Sequence, residues 1–162
     1  MKTSWLIVAL LSFSTSVLAQ NSQHALWLEG GGGNPSYAIQ YEQFLTTLGR
    51  SSFEVYGRIG IGAERARVAV PLSVHAVSQG DPHHLVMMLG ATPQIRNLNL
   101  SNTDTYLLLV GGLGYRYQTR QHPFMLSCMG HPVLITDPTP TQLIDRNPSL
   151  RFRLSVGAGI SF

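Results

Sequence analysis

Two serine–histidine pairs stand at even spacings in this chain, Ser73 with His75 and Ser127 with His131. In an extended strand, residues two or four apart share a face, so each pair could present a hydroxyl and an imidazole on one surface. Acyl-transfer chemistry needs a base within hydrogen-bond reach of the nucleophile and a third group orienting that base. No acidic residue stands at a spacing that supplies the third group, so neither pair is assigned a catalytic role. Asp81, His83 and His84 cluster in one turn. Adjacent strand residues point to opposite faces, which argues against the two imidazoles sharing one ion. Cys128 is the single cysteine of the chain, so no intramolecular disulfide or cysteine-based metal site exists, and a small apolar filler is expected. Residues 30–33 are four glycines without the Gly-Lys-Ser/Thr that would make a phosphate loop. They read as a bend or bulge. No catalytic, cofactor-binding or metal-binding residue is assigned.

The charged residues are few. Asp, Glu, Lys and Arg make up 12% of the chain, against about a quarter to a third on a typical soluble surface. The formal net charge is only +3 and the arginines are scattered, so nothing points to nucleic acid. Lys2 is the only lysine, and it belongs to a segment with its own logic. A basic start, an apolar run at residues 5–11 and small residues up to Ala19 describe a secretory signal peptide, residues 1–19, cut before Gln20. Residues 20–162 then form one domain. No further stretch nears about eighteen consecutive apolar residues, so any membrane crossing must be made by strands.

The stretch at 150–162 carries the clearest pattern. Leu150, Phe152, Leu154, Val156, Ala158, Ile160 and Phe162 alternate with Arg151, Arg153, Ser155, Gly157, Gly159 and Ser161. A period of two makes one strand face apolar and the other polar or small. At about 3.3 Å per residue the run reaches roughly 43 Å, and tilted by about 45° it rises roughly 30 Å, the thickness of a bilayer's hydrocarbon core. Similar alternation marks 53–63, 67–77 and 85–95. Further strand candidates bounded by turn signals stand at 25–31, 36–44, 106–118, which is long and apolar, and 124–134, which is weaker and interrupted by Gly130 and Pro132. These eight segments, with no sustained helical period, predict an all-β, eight-stranded antiparallel up-and-down transmembrane β-barrel of outer-membrane type. Both termini fall on one side, with the connections 45–52, 78–83 and 119–122. The longest connection, 135–148, falls on the other, as in such barrels. The short link at 64–66 also falls there, against the rule.

With the apolar faces outward, Glu29, Glu42, Glu54, Arg58, Arg116, Arg151 and Arg153 face the lumen, together with Gln40, Ser73 and His75. Three carboxylates against four guanidiniums are close to balanced, and buried charges must be paired. Arginine suits such a site because its planar fork stays protonated and binds carboxylates in pairs. Trp27, Tyr37, Tyr56 and Tyr117 lie near strand ends and read as interfacial anchors or as interior packing.

Several pieces of the chain, in order, resemble a family of small outer-membrane β-barrel proteins of the Bacteroidota type. They are Glu29-Gly30-Gly31, Ser36-Tyr37 and Tyr41-Glu42-Gln43-Phe44, then Arg58-Ile59-Gly60-Ile61-Gly62 and Val70-Pro71-Leu72. Gly114-Tyr115-Arg116-Tyr117, Pro132 and the run from Ser155 to Phe162 follow. His131 departs from the pattern, where an aromatic residue or threonine is expected. The resemblance implies a barrel in the bacterial outer membrane, in contact with outer-membrane lipid, whose terminal Phe162 is the signal read by the barrel-assembly machinery. It brings no substrate and no cofactor. The functional expectation is a structural or loop-binding barrel with a packed polar lumen and no open pore, not an enzyme. A lipid-modifying barrel enzyme and a soluble lipocalin-like carrier of an apolar ligand are the alternatives.

Overall fold

The computed structural model describes residues 23–32, 36–48, 52–64, 67–96, 104–136 and 149–162. The expected signal peptide and residues 137–148 of the longest connection lie outside the described residues. The strands are β1 (His24–Gly31), β2 (Tyr37–Thr47), β3 (Phe53–Glu64), β4 (Arg67–Ala69), β5 (Leu72–Ser78), β6 (His83–Arg96), β7 (Asp104–Gln118), β8 (Phe124–Thr136) and β9 (Ser149–Ser161). Among the described residues there is no helix.

β4 and β5 are two halves of one stave, since both pair with β3 on one side and β6 on the other. The break falls at Val70 and Pro71, where the proline has no N–H to give the ladder. Gly60 N donates to Pro71 O at 3.0 Å and Val70 N to Pro93 O at 3.1 Å, so hydrogen bonding continues across the gap. Each stave is antiparallel to its neighbours, and β1 pairs with β9 to close the ring. The result is an eight-stranded antiparallel closed barrel with no sheet edge around most of its circumference.

The registers fix its dimensions. From Leu26, directly opposed residues run through Tyr41, Ile59, Leu72, Ala91, Leu109 and Leu134 to Leu150. Leu150 stands five residues before Ser155, which faces Gly31, so the circuit returns ten residues along β1 from its start. A stagger of ten over eight staves tilts the strands by about 40° and gives a backbone radius of roughly 8 Å. Such a bore is filled by side chains.

The two faces of the wall separate by chemistry. Large apolar side chains are exposed on every stave, among them Leu28, Ile39, Ile61, Leu89, Leu113 and Leu126. On β9, Leu150, Phe152, Leu154 and Val156 are 73, 71, 68 and 64% exposed, whereas Ser155 and Gly159, on the other face of the same strand, are buried. The rim where β1 begins and β9 ends carries aromatic groups. The Tyr41 hydroxyl lies 2.6 Å from His24 Nδ1, Phe162 stacks on the His24 ring, and His83 packs on Tyr115 and Tyr117. Tyr37 and Tyr117 thus face outward, while Trp27 and Tyr56 are buried inside.

Candidate functional site

The inner face gathers charge at one level of the bore. Glu42 on β2 and Arg58 on β3 are direct cross-strand partners. Arg58 donates to Glu42 Oε2 through Nη2 at 2.6 Å and Nε at 3.1 Å, and through Nη1 to Glu29 Oε2 at 3.2 Å. Arg116 on β7 donates from Nη2 to the same Glu42 oxygen at 2.7 Å. β2 and β7 are four staves apart by either route round the ring, so this ion pair crosses the barrel along a diameter. Trp27 Nε1 donates to Glu42 Oε1 at 3.2 Å, and Gln40 Nε2 to Glu29 Oε2 at 3.0 Å. Glu42 accepts four donors, about the capacity of a carboxylate.

Two carboxylates and two guanidiniums, all buried, leave this cluster without net charge. Desolvating four ions is costly, and it is offset only by pairing of this quality. Both guanidiniums lie over the Trp27 ring, at 4.6 Å and 4.8 Å from its centroid, and Arg116 lies 5.5 Å from that of Tyr56. Cation–π attraction therefore adds to the ion pairs. The indole fits because Gly159 lies beside it: a Cβ there would come within 2.7 Å of the ring.

The remaining charged residues expected in the lumen take different positions. Glu54 accepts the Tyr56 hydroxyl at 2.6 Å near the terminal rim, apart from the cluster. Arg153 donates from Nη1 to Gly32 O at 3.3 Å, and Arg151 is exposed. Among the described residues neither pairs with a carboxylate. Phe162 ends the chain at the aromatic rim, its N–H donating to His24 O at 2.9 Å.

The serine–histidine arrangement is reorganised by the strand pairing. Ser73 Oγ does lie 2.9 Å from His75 Nε2, but His75 Nδ1 is buried without a hydrogen-bond partner among the described residues. Beside it is a void, lined by Glu29, Gln40, Ser73, His75 and Thr92 among others, with room for about one water. Ser127 and His131 stand four residues apart on β8, roughly 13 Å along the strand, beyond any direct bond. His131 pairs instead with Ser155 of β9, which sequence reasoning did not single out. Its Nε2 is 2.7 Å from Ser155 Oγ and its Nδ1 is 3.2 Å from Gly111 O. A carbonyl only accepts, so in the neutral ring Nδ1 carries the proton and the serine donates to Nε2. Glycines surround this imidazole: Gly32 and Gly112 would each place a Cβ about 3.0 Å from it. Gly31 and Gly32 also adopt positive φ, 80° and 72°, a conformation glycine enters without strain, and this bend brings Gly32 N to Leu154 O at 2.8 Å.

His83 and His84 point to opposite faces. His83 Nδ1 is 2.5 Å from the Tyr115 hydroxyl, and His84 Nδ1 donates to Ser78 O at 2.7 Å. Among the described residues no group of three potential ligand side chains converges. Cys128 lies on the outer face and is exposed.

Fold and interior together define the class: a small closed β-barrel with a paired cluster of charge buried inside and large apolar side chains exposed outside. Comparison with protein-family models, curated proteins and solved structures finds no match.

Proposed function

We propose that this protein is an exported outer-membrane β-barrel with a sealed polar core, acting as a structural element or through its loops and not as an open pore. One observation carries the reading. Exposed Leu, Ile, Val, Phe and Tyr side chains ring the barrel on every stave, while Glu29, Glu42, Arg58 and Arg116 are buried on the inner face. Water would not tolerate so continuous an apolar surface on a monomer, where patches rarely exceed a few hundred Å²; acyl chains would. The aromatic rim fits the interfacial girdle of such barrels. The sequence pieces resembling small outer-membrane barrels of the Bacteroidota type support the same reading. In it, Phe162 serves as the signal for the barrel-assembly machinery. A soluble carrier of an apolar ligand would need an apolar interior, and the ion-paired cluster occupies that space.

The bonded Ser155–His131 pair favours, as a second reading, a lipid-modifying enzyme. Both groups are buried, which favours a structural role. Loss of a change in lipid composition in Ser155→Ala would establish catalysis.

The test of the main reading is fractionation of cells expressing the full chain. The protein should pellet with outer membranes, run faster on a gel before boiling than after, and give little or no conductance in a planar bilayer. Recovery from the soluble periplasm without detergent would overturn the proposal.

A further inference from the structure

The wall of the barrel is not level. β1 pairs with β9 only between Ser155 and Ser161, and among the described residues the bond from Gly32 N to Leu154 O is the last across that seam. β8 follows β9 all the way to Ser149. Ser149 to Leu154 therefore stand beyond the end of β1, roughly 20 Å of strand, and among the described residues the β1 side of this stretch is a notch with no strand beside it. Backbone groups alternate in direction along an antiparallel strand. Leu154 O accepts from Gly32 and Phe162 N donates to His24, whereas Ser161 N donates to Pro123 on the β8 side. The N–H and C=O of Phe152 and Leu150 thus point into the notch, where no described strand meets them.

The side chains along this edge are of two kinds. Leu150, Phe152 and Leu154 face outward and are among the most exposed apolar groups of the molecule. Arg151 and Arg153 lie on the opposite face without a carboxylate partner among the described residues, unlike Arg58 and Arg116. We propose that this notch binds a membrane lipid whose phosphate-bearing headgroup is net anionic, with Arg151 and Arg153 on that headgroup and its acyl chains along Leu150, Phe152 and Leu154. Guanidinium forks match phosphate oxygens in bidentate geometry. A second copy of the chain is a poor occupant. Two β9 edges paired about a two-fold axis would bring four guanidiniums onto one face, and like charges across a strand pair repel. An acidic peptide would satisfy the edge and the arginines but would leave the outward leucines and Phe152 without a counterpart.

The proposal rests on the outer-membrane reading, so samples are first scored for membrane pelleting and heat-shifted mobility. A soluble protein ends both ideas, and a membrane protein without lipid preference ends only this one. Native mass spectrometry of the full-length protein, exposed to equal amounts of phosphatidylglycerol and phosphatidylcholine, then reads the bound lipid. Phosphatidylglycerol should be retained over phosphatidylcholine by about tenfold. The Arg151→Gln/Arg153→Gln double variant should lose that preference while keeping its heat shift, and Arg120→Gln, in the turn at the terminal rim, should keep the preference. No preference in the unmodified chain, a preference that survives the double variant, or an equal loss in Arg120→Gln would overturn the proposal. So would displacement of the lipid by an equal concentration of inorganic phosphate, which marks a plain anion site. A mass increment of a second chain or of a co-purified peptide, in place of lipid, would overturn it as well.

Discussion

Glu42 holds the interior together because four donors from three different staves converge on its two oxygens. Replacing it with glutamine would leave Arg58 and Arg116 buried beside a neutral amide, and stripping one partner from a buried ion pair costs about 3–5 kcal/mol. Glu42→Gln should therefore lower the denaturant midpoint of the detergent-folded protein sharply. Glu54→Gln, which keeps an acceptor for the Tyr56 hydroxyl and loses only the charge on a less buried side chain, should cost about 1 kcal/mol or less. Equal effects from the two variants would mean that Glu42 is not the hub. The clustering of Glu29, Glu42, Arg58 and Arg116 follows from strand parity, which is readable in the sequence, because these residues share the inner face. Their individual partners were not legible, because pairing depends on the stagger between staves. The Ser127–His131 spacing was informative about face and misleading about distance. Ser155 reaches His131 only through the β8–β9 register, and the long connection between those strands gives no rule for fixing it.

At the scale of the element, β9 shows why alternation was a sound guide. Its even-numbered residues from Leu150 to Ile160 are exposed, and the buried residues of the strand are odd-numbered. Strand ends were less legible. β2 runs on to Thr47 with a register shift between Phe44 and Thr46, and β6 begins at His83 within what reads as a turn. Pro71 divides one stave into β4 and β5, a local break that parity does not register. The outward face also allows a test whose sign depends on the surroundings. In a bilayer, Val156→Arg should destabilise by about 2–4 kcal/mol, and Leu150→Arg, nearer the loop rim, by about 0–1 kcal/mol. Urea midpoints of vesicle-refolded protein would measure both. Were the barrel a water-soluble one, both substitutions would replace exposed grease with charge and be neutral or favourable.

For the molecule as a whole, the circuit of eight staves was foreseeable from eight strand candidates, only some of them alternating, and the turn signals between them. The ten-residue stagger was not, and it sets the bore that Arg116 spans to reach Glu42. That diameter-crossing contact joins residues 74 positions apart in the chain, while Glu42 and Arg58 meet within a single hairpin. In the membrane reading, the β2–β3 hairpin can enter the bilayer with Arg58 already neutralised by Glu42. Arg116 has no such local partner on β6 or β8 among the described residues, so its charge remains unmatched until the circle is complete. Arg116→Met should then shorten the time in which the heat-resistant band appears in vesicles, and an unchanged or slower rate would reject this order of events. The last bond to form would be the one that bolts the far wall to the near one, so half-inserted intermediates are left without their lock and the finished cylinder keeps it.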